Sequence, residues 1–497
     1  MTKLAAIDWK DRASTLPLPS QAYINGLNTD ALSGRTTTLI NPADGQPLVS
    51  MADCGQEDAD QAVKIARQVF ESGIWSQQPP AERKRVLLRW ADLLEKHQQE
   101  LALLESLNAG KPISDCVNVD IPGAINTIRW TAEAIDKVYE QIAPTGHDTL
   151  ALVTRLPLGV VTAIVPWNFP LSTTAWKLAP ALATGNSVIL KPDPKTPLTA
   201  LRIAQLATEA GLPDGVLNVL PGDGEILGRY LSLHPDIDGQ TFTGSTRVGK
   251  LLTQYAGQSN LKRTFLELGG KSANIIFADA NLEKAASMAA VAGFYNAGQT
   301  CTAGTRLLIE ESIHDQFVEM VIEKARSWTP GNPLDPGSRM GAIIDQNQLN
   351  TIQRYIEIGQ QEGATLALGG NVVNQDSGGF FHQATLFTGV TNNMRIAREE
   401  IFGPVVSVIP FQDQQDAIRI ANDSPYGLAC AVWSQNINTA HKVAAAVRTG
   451  TMGINNYFGG DITVPFGGFK ESGNGRDKSL HAMDDYTELK TTWIEFD

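Results

Sequence analysis

Cysteine is scarce in this chain of 497 residues: only Cys54, Cys116, Cys301 and Cys430 occur, far apart and with no C-x-x-C pair. That argues against a disulfide framework and suits a reducing compartment. Histidine is nearly as sparse, with seven residues and no H-E-x-x-H spacing, so no catalytic metal is expected. Long apolar runs are missing as well. The amino-terminal MTKLAAIDWKDRAS is mixed and charged, so neither a signal peptide nor a membrane span is expected, and a cytoplasmic location is. An excess of positive charge is also lacking. Lys and Arg number 40 against 53 Asp and Glu, and the net charge of −13 argues against nucleic acid or an anionic membrane as a partner. There is no low-complexity tract or short-period repeat.

What is present is the composition of a globular enzyme, 42% hydrophobic and 19% charged, in a chain long enough for two large α/β domains and a small appendage. Between Thr37 and Glu140 an edge strand pair is followed by amphipathic helices, with Asp58 and Gly110 as punctuation and the Trp90 stripe as core. From Val160 onward, short β-branched runs end in Pro, Gly, Asn or Lys and give way to helices. Val160–Val165 reads as a strand buried on both faces and stopped by Pro166. Open α/β sheets bind ligands at the carboxyl ends of their strands, so Trp167 and Asn168 stand where a ligand would lie. Asn168 is either an oxyanion donor or a turn residue. Ser187–Leu190 is a second such strand and delivers Lys191. A third ends in the turn of Gly222 and Gly224, and a fourth in Gly244, Ser245, Thr246 and Gly249, a turn feeding a helix amino terminus suited to phosphate. Four such strand ends within about a hundred residues suggest one nucleotide-binding sheet.

Two further residues carry chemistry. Cys301 lies in FYNAGQTCTAGTR among small and polar neighbours, where a buried structural thiol would have bulky apolar ones. It is the candidate nucleophile, with Gly298 and Gly304 leaving room for a substrate. Glu267 follows an apolar strand and precedes Gly269 and Gly270, which suits a general base as well as a solvated strand-end glutamate.

PWNFP, GNSVILKP, FTGSTRVG, LELGGKS, FYNAGQTC, EEIFGPV and VPFGGFKESG follow one another in the order and at the spacing of the aldehyde dehydrogenase superfamily, which the chain resembles along essentially its whole length. The resemblance implies a Rossmann-type cofactor domain (1–140 and 160–268), an α/β catalytic domain (269–475) and a small β oligomerisation arm (141–159 and 476–497). TLALVTRLPLG and YTELKTTWIEFD would pair in that arm and reach a partner subunit, giving a homodimer or homotetramer. The resemblance further implies that Cys301 attacks an aldehyde carbon, that Asn168 and the Cys301 N–H hold the oxyanion, and that Glu267 activates the hydrolytic water. Lys177 takes a supporting role. Trp167, Lys191, Gly224, Gly244, Ser245, Gln348, Glu400 and Phe402 fall on the NAD(P) side.

Pro194 stands where NAD-preferring members usually carry a ribose-binding glutamate. NADP is thereby admitted with Lys191 as a phosphate partner, while Asp193 argues the other way, so NAD and NADP both stay open. DIPGAINTIRWTAEAIDKVYE and NNYFGGDITVPFGGFKESGNGRDKSLHA resemble the branch that oxidises aminoaldehydes of polyamine and arginine breakdown, such as γ-glutamyl-γ-aminobutyraldehyde and 4-guanidinobutyraldehyde. Asp461, with Asp120, either draws a cationic tail or, in the case of Asp461, caps a turn. Phe169, Trp176 and Phe466 line the tunnel, so general aliphatic aldehydes are an alternative. The rivals are a cofactor-independent thiol esterase or hydrolase and a CoA-acylating relative, which would generally lack Glu267.

Overall fold

The computed structural model describes residues 7–497. Two seven-stranded sheets and a three-stranded arm organise them. In the first sheet five strands are parallel, in the order Arg263–Glu267, Gly239–Thr243, Val160–Ile164, Ser187–Lys191, Leu217–Val219, and the antiparallel pair Ala22–Ile24 and Leu27–Thr29 closes one edge. Val160–Ile164 and Ser187–Lys191 are buried at every position, as their continuous apolar runs require of strands covered on both faces. Helices Pro80–Lys96, Ile121–Ala134, Pro170–Ala183 and Leu198–Glu209 build one apolar layer, in which Trp90 is core and donates its Nε1–H to the Ile203 carbonyl at 2.9 Å. Helix Gln56–Ser72 covers the opposite face. The Asp58 carboxylate caps it from within the first turn by accepting the Gly55 N–H at 2.8 Å, and Gly110 ends helix Gln98–Ala109.

From Val160–Ile164 the chain winds outward in one direction, then crosses back to Gly239–Thr243 on the other side. The strand order therefore reverses between these two neighbours, and a crevice opens at their carboxyl ends, where Trp167 and Asn168 meet Gly244 and Ser245. The second sheet runs Thr365–Leu368, Thr385–Thr388, Val405–Phe411, Arg306–Glu310, Ala273–Ile276, Ala429–Trp433, Thr451–Ile454, all parallel but the first. Cys301 and Glu400 lie just before its strands Arg306–Glu310 and Val405–Phe411. The carboxyl ends of one sheet thus face the amino ends of the other.

The arm is Gln141–Ala143, Thr149–Pro157 and Thr487–Glu495, the last two antiparallel from Thr487 opposite Pro157 to Glu495 opposite Thr149. Before joining it, the segment 466–479 crosses the first sheet: Gly473 bridges Glu267, and the Leu268 N–H donates to the Ser472 carbonyl at 2.9 Å. No helix among the described residues is long and apolar enough to cross a membrane.

Candidate active site

A cavity of about 740 Å3 fills the space between the two sheets. The candidate nucleophile, Cys301, is presented by a tight left-handed turn. Asn296, Ala297 and Gly298 take φ values of 49°, 54° and 71° in succession, a conformation that costs roughly 1–2 kcal/mol for each residue bearing a side chain. Gly298 is required, since a Cβ there would lie 2.2 Å from the Gly403 carbonyl oxygen. The Asn296 amide holds the turn by donating to the Asn168 carbonyl at 3.0 Å. Among the four free cysteines Cys54, Cys116 and Cys430 are buried, and Cys301 alone is partly open, into the cavity. Burial and then the charges of Glu267 and Glu400 push its thiol above the ordinary value, while the N–H groups of Thr302 and Cys301 pull it down.

Asn168 enters from the first sheet and donates one Nδ2–H to the Gln299 carbonyl at 2.9 Å. Its amide group carries two hydrogens, so the bond orients the side chain and leaves one donor for a ligand. Glu267, at the end of Arg263–Glu267, is 2% exposed, and neither carboxylate oxygen has a hydrogen-bond partner among the described residues. Burial first, and then the charge of Asp477, hold its pKa well above the ordinary carboxylate range. Both features fit a group that awaits water. Lys177 lines no part of the cavity; it lies on helix Pro170–Ala183 and donates to both oxygens of Asp477 at 2.9 and 2.7 Å in a buried ion pair.

Trp167, Gly244, Ser245, Gln348, Glu400 and Phe402 line one end of the cavity. The Phe402 and Trp167 rings meet edge to face at 5.2 Å, and Gln348 Nε2 donates to the carbonyls of Ile401 and Phe402 at 2.9 Å each. Ser245 caps helix Thr246–Gln258, whose amino terminus opens on the same end. Glu400 accepts the Gly270 N–H at 3.1 Å and is pushed up to about 7 by burial. A Cβ at Gly269 would come within 2.1 Å of its carboxylate, so only glycine lets Glu400 approach. Thr243 adds a buried hydroxyl without a partner among the described residues. This mixture of aromatic faces, a helix amino terminus and unspent polar groups fits a nicotinamide nucleotide.

Lys191 and Gly224 lie outside the cavity. The Lys191 ammonium is buried and donates to the Pro192 carbonyl at 3.2 Å, and Gly228, just after the turn of Gly224, approaches its methylenes. Asp193 caps its own turn by accepting the Lys195 N–H at 3.0 Å.

Phe169, Trp176 and Phe466 form the other end, with Trp176 and Phe466 rings 5.2 Å apart. Asp120 and Asp461 both border the cavity but are committed elsewhere, which alters the expected acidic mouth. Asp120 is 1% exposed and ion-paired at 2.7 Å to Lys111, whose ammonium also sits 3.9 Å from the Phe169 ring centroid. Asp461 accepts from the N–H and hydroxyl of Thr463 at 2.8 and 2.6 Å, the turn-capping alternative. Two residues went unnoticed in the sequence: Asp477, partner of Lys177, and Lys478, whose ammonium stands 4.6 Å from the Trp176 ring centroid inside the cavity. GRDKS offered no pattern that distinguishes them from surface charges.

A partly open thiol, an amide with a spare donor, a buried carboxyl unbonded among the described residues and a recess suited to a nucleotide meet around one cavity, as a thiol-dependent dehydrogenase requires, and the chain belongs to the aldehyde dehydrogenase family, which it matches over residues 29–492. It is 51% identical over 490 residues to the NADP/NAD-dependent aldehyde dehydrogenase PuuC of Escherichia coli, covering 98% of each chain. Among solved structures it is similar to the aldehyde dehydrogenase KauB of Pseudomonas aeruginosa, 57% identical with a TM-score of 0.98 over 98% of this chain and 99% of that one. It is also similar to the γ-glutamyl-γ-aminobutyraldehyde dehydrogenase of Burkholderia cenocepacia, 54% identical with a TM-score of 0.97 over 99% of both. The chain is accordingly an NAD(P)-dependent oxidoreductase acting on aldehydes.

Proposed function

We propose that the chain oxidises an aminoaldehyde of polyamine or arginine catabolism to its carboxylic acid through Cys301. The observation that carries this reading is the convergence of Cys301, Asn168 and Glu267 on one cavity flanked by a nucleotide recess and an aromatic tunnel. Cys301 Sγ adds to the aldehyde carbon, and the free Nδ2–H of Asn168 with the Cys301 N–H holds the oxygen that becomes anionic. NAD(P), held by Trp167, Ser245, Glu400 and Phe402, supplies the electron acceptor when bound. Oxidation at that carbon leaves a thioester on Cys301. Glu267 takes a proton from water, the resulting hydroxide adds to the thioester carbon, and Cys301 departs as the acid forms.

Kinship with the γ-glutamyl-γ-aminobutyraldehyde enzyme supports the substrate class. The aromatic lining of Phe169, Trp176 and Phe466 supports turnover of plain aliphatic aldehydes as a second reading. With Pro194 removing the usual carboxylate and PuuC bearing both cofactors in its name, the chain accepts NAD and NADP alike, and the arm joins it into a homodimer or homotetramer. The test is initial-rate reduction of NAD and of NADP with γ-glutamyl-γ-aminobutyraldehyde, γ-aminobutyraldehyde, 4-guanidinobutyraldehyde, betaine aldehyde and propanal. An aminoaldehyde leading propanal by about ten-fold in kcat/KM, roughly 1.4 kcal/mol, supports the class; parity returns the chain to general aldehyde oxidation. Cys301→Ser is expected to abolish turnover and keep cofactor binding, and near-normal oxidation by that variant would refute the mechanism.

A further inference from the structure

Among the lysines at the tunnel, Lys478 alone has no ion-pair partner among the described residues. The Lys111 ammonium that borders Phe169 is matched by Asp120, and Lys177 by Asp477. Asp461 accepts both donors of Thr463 on one oxygen, and these bonds, with the more distant charge of Lys478, hold its carboxyl below the ordinary range. Lys478 makes no ion pair, and its ammonium makes no hydrogen bond; it borders the cavity with its Nζ 4.6 Å from the Trp176 ring centroid and 5.3 Å from that of Phe466. Those ring faces stabilise a cation and hold it inside the tunnel mouth.

The backbone beneath it is strained to achieve this. Lys478 has φ 62°, and Ser479 combines φ 54° with ψ −178°, a region that residues with side chains rarely enter. The pair is clamped on both sides: Asp477 exchanges N–H and carbonyl with Phe466 at 2.7 Å each, and the Ser479 N–H donates to the Ile462 carbonyl at 2.8 Å. Such strain persists where the surroundings over-determine it, and it is concentrated at ligand sites. Burial also lowers the pKa of the ammonium, which an arriving anion would restore.

We propose that the Lys478 ammonium recognises a carboxylate at the far end of the substrate, so that aldehydes carrying a γ-glutamyl head are selected over those ending in a free ammonium. The inference rests on the aminoaldehyde reading above and decides which form of aminoaldehyde is used. A free ammonium deep in the tunnel meets Lys478 as a like charge, with Asp120 already paired to Lys111. An α-amino acid head instead sets its carboxylate against Lys478, and its own ammonium is left for the outer, exposed face of Asp461.

The test compares wild type, Lys478→Met, Lys478→Gln and Lys478→Arg with γ-glutamyl-γ-aminobutyraldehyde, γ-aminobutyraldehyde and propanal. Taking propanal as the internal reference cancels any general effect on Cys301 or Glu267. In the Met and Gln variants the γ-glutamyl to propanal ratio of kcat/KM is expected to fall about ten-fold, through KM, and the γ-aminobutyraldehyde to propanal ratio to rise; Arg restores most of the preference. A γ-glutamyl ratio that holds within about two-fold in both neutral variants overturns the proposal. Equilibrium binding of the product acid, γ-glutamyl-γ-aminobutyrate, followed by tryptophan fluorescence, provides a readout without turnover. Weakening in the neutral variants supports the role of Lys478 even if wild type oxidises none of the aldehydes, an outcome that would sink the proposed function alone; equal affinity in all four proteins overturns it.

Discussion

Glu267 shows how far a single side chain can be displaced from its solution behaviour. Its folded-state pKa lies well above the unfolded one, through burial and then Asp477. Its contribution to stability is therefore fully present below the ordinary glutamate range and is lost as pH rises through the raised value. Replacing it by Gln removes that loss. We expect Glu267→Gln to gain thermal stability over wild type as pH is raised from about 5 to about 9, by roughly 2 °C or more at the alkaline end, as differential scanning fluorimetry would show. In turnover the same variant is expected to build up acyl-enzyme visible by intact mass, with hydrolysis slowed by about 10²–10⁴. Retained activity with no acyl-enzyme in a single turnover would remove Glu267 as the base. At this scale the sequence was legible where local context is unusual: a cysteine among small residues, an asparagine after a strand and Pro166, a glutamate before two glycines. Asp477 and Lys478 were not legible, because a charged residue's partner 300 positions away leaves no mark on its neighbours. The acidic mouth is altered for the same reason, since Lys111 pairs with Asp120 and Thr463 bonds one oxygen of Asp461 only in three dimensions.

Helix Pro170–Ala183 and the segment 466–479 are joined inside the protein by Lys177 and Asp477, each about 2% to 5% exposed. Breaking a buried pair by removing one partner leaves a bare charge and costs about 3–5 kcal/mol, whereas replacing both with apolar residues costs far less. Lys177→Met and Asp477→Leu are each expected to lower stability by about that amount in urea unfolding, and the double variant to recover most of it. Additive losses in the double variant would show that the two side chains act separately. Strands were readable because β-branched runs end abruptly at Pro166, Gly244 or the Lys191–Pro192 step. The turn before Cys301 was not, since Ala297 at φ 54° contradicts every local preference and is imposed by the packing of Gly298 against Gly403.

For the molecule as a whole, strand order was beyond local reading. The reversal between Val160–Ile164 and Gly239–Thr243 that opens the crevice depends on which strand crosses to which edge. Resemblance supplied the arm, and the pairing of Thr149–Pro157 with Thr487–Glu495 agrees with it. Leu489, Trp493, Ile494 and Phe496 remain exposed on that arm, an apolar edge that an isolated chain would leave wet. Truncation after residue 486 is expected to lower the mass measured by light scattering and to reduce solubility; an unchanged mass would place the subunit contact elsewhere.

The crossing of segment 466–479 over the first sheet also sets an order of assembly in time. At about 5–20 residues per second, a ribosome needs roughly ten to thirty-five seconds to travel from Cys301 to Lys478. During that interval the nascent chain owns a thiol but lacks the strand-bridging Gly473, the partner of Lys177 and the tunnel's cation. The reactive centre is finished almost last, so a polypeptide abandoned midway is chemically incomplete as well as short.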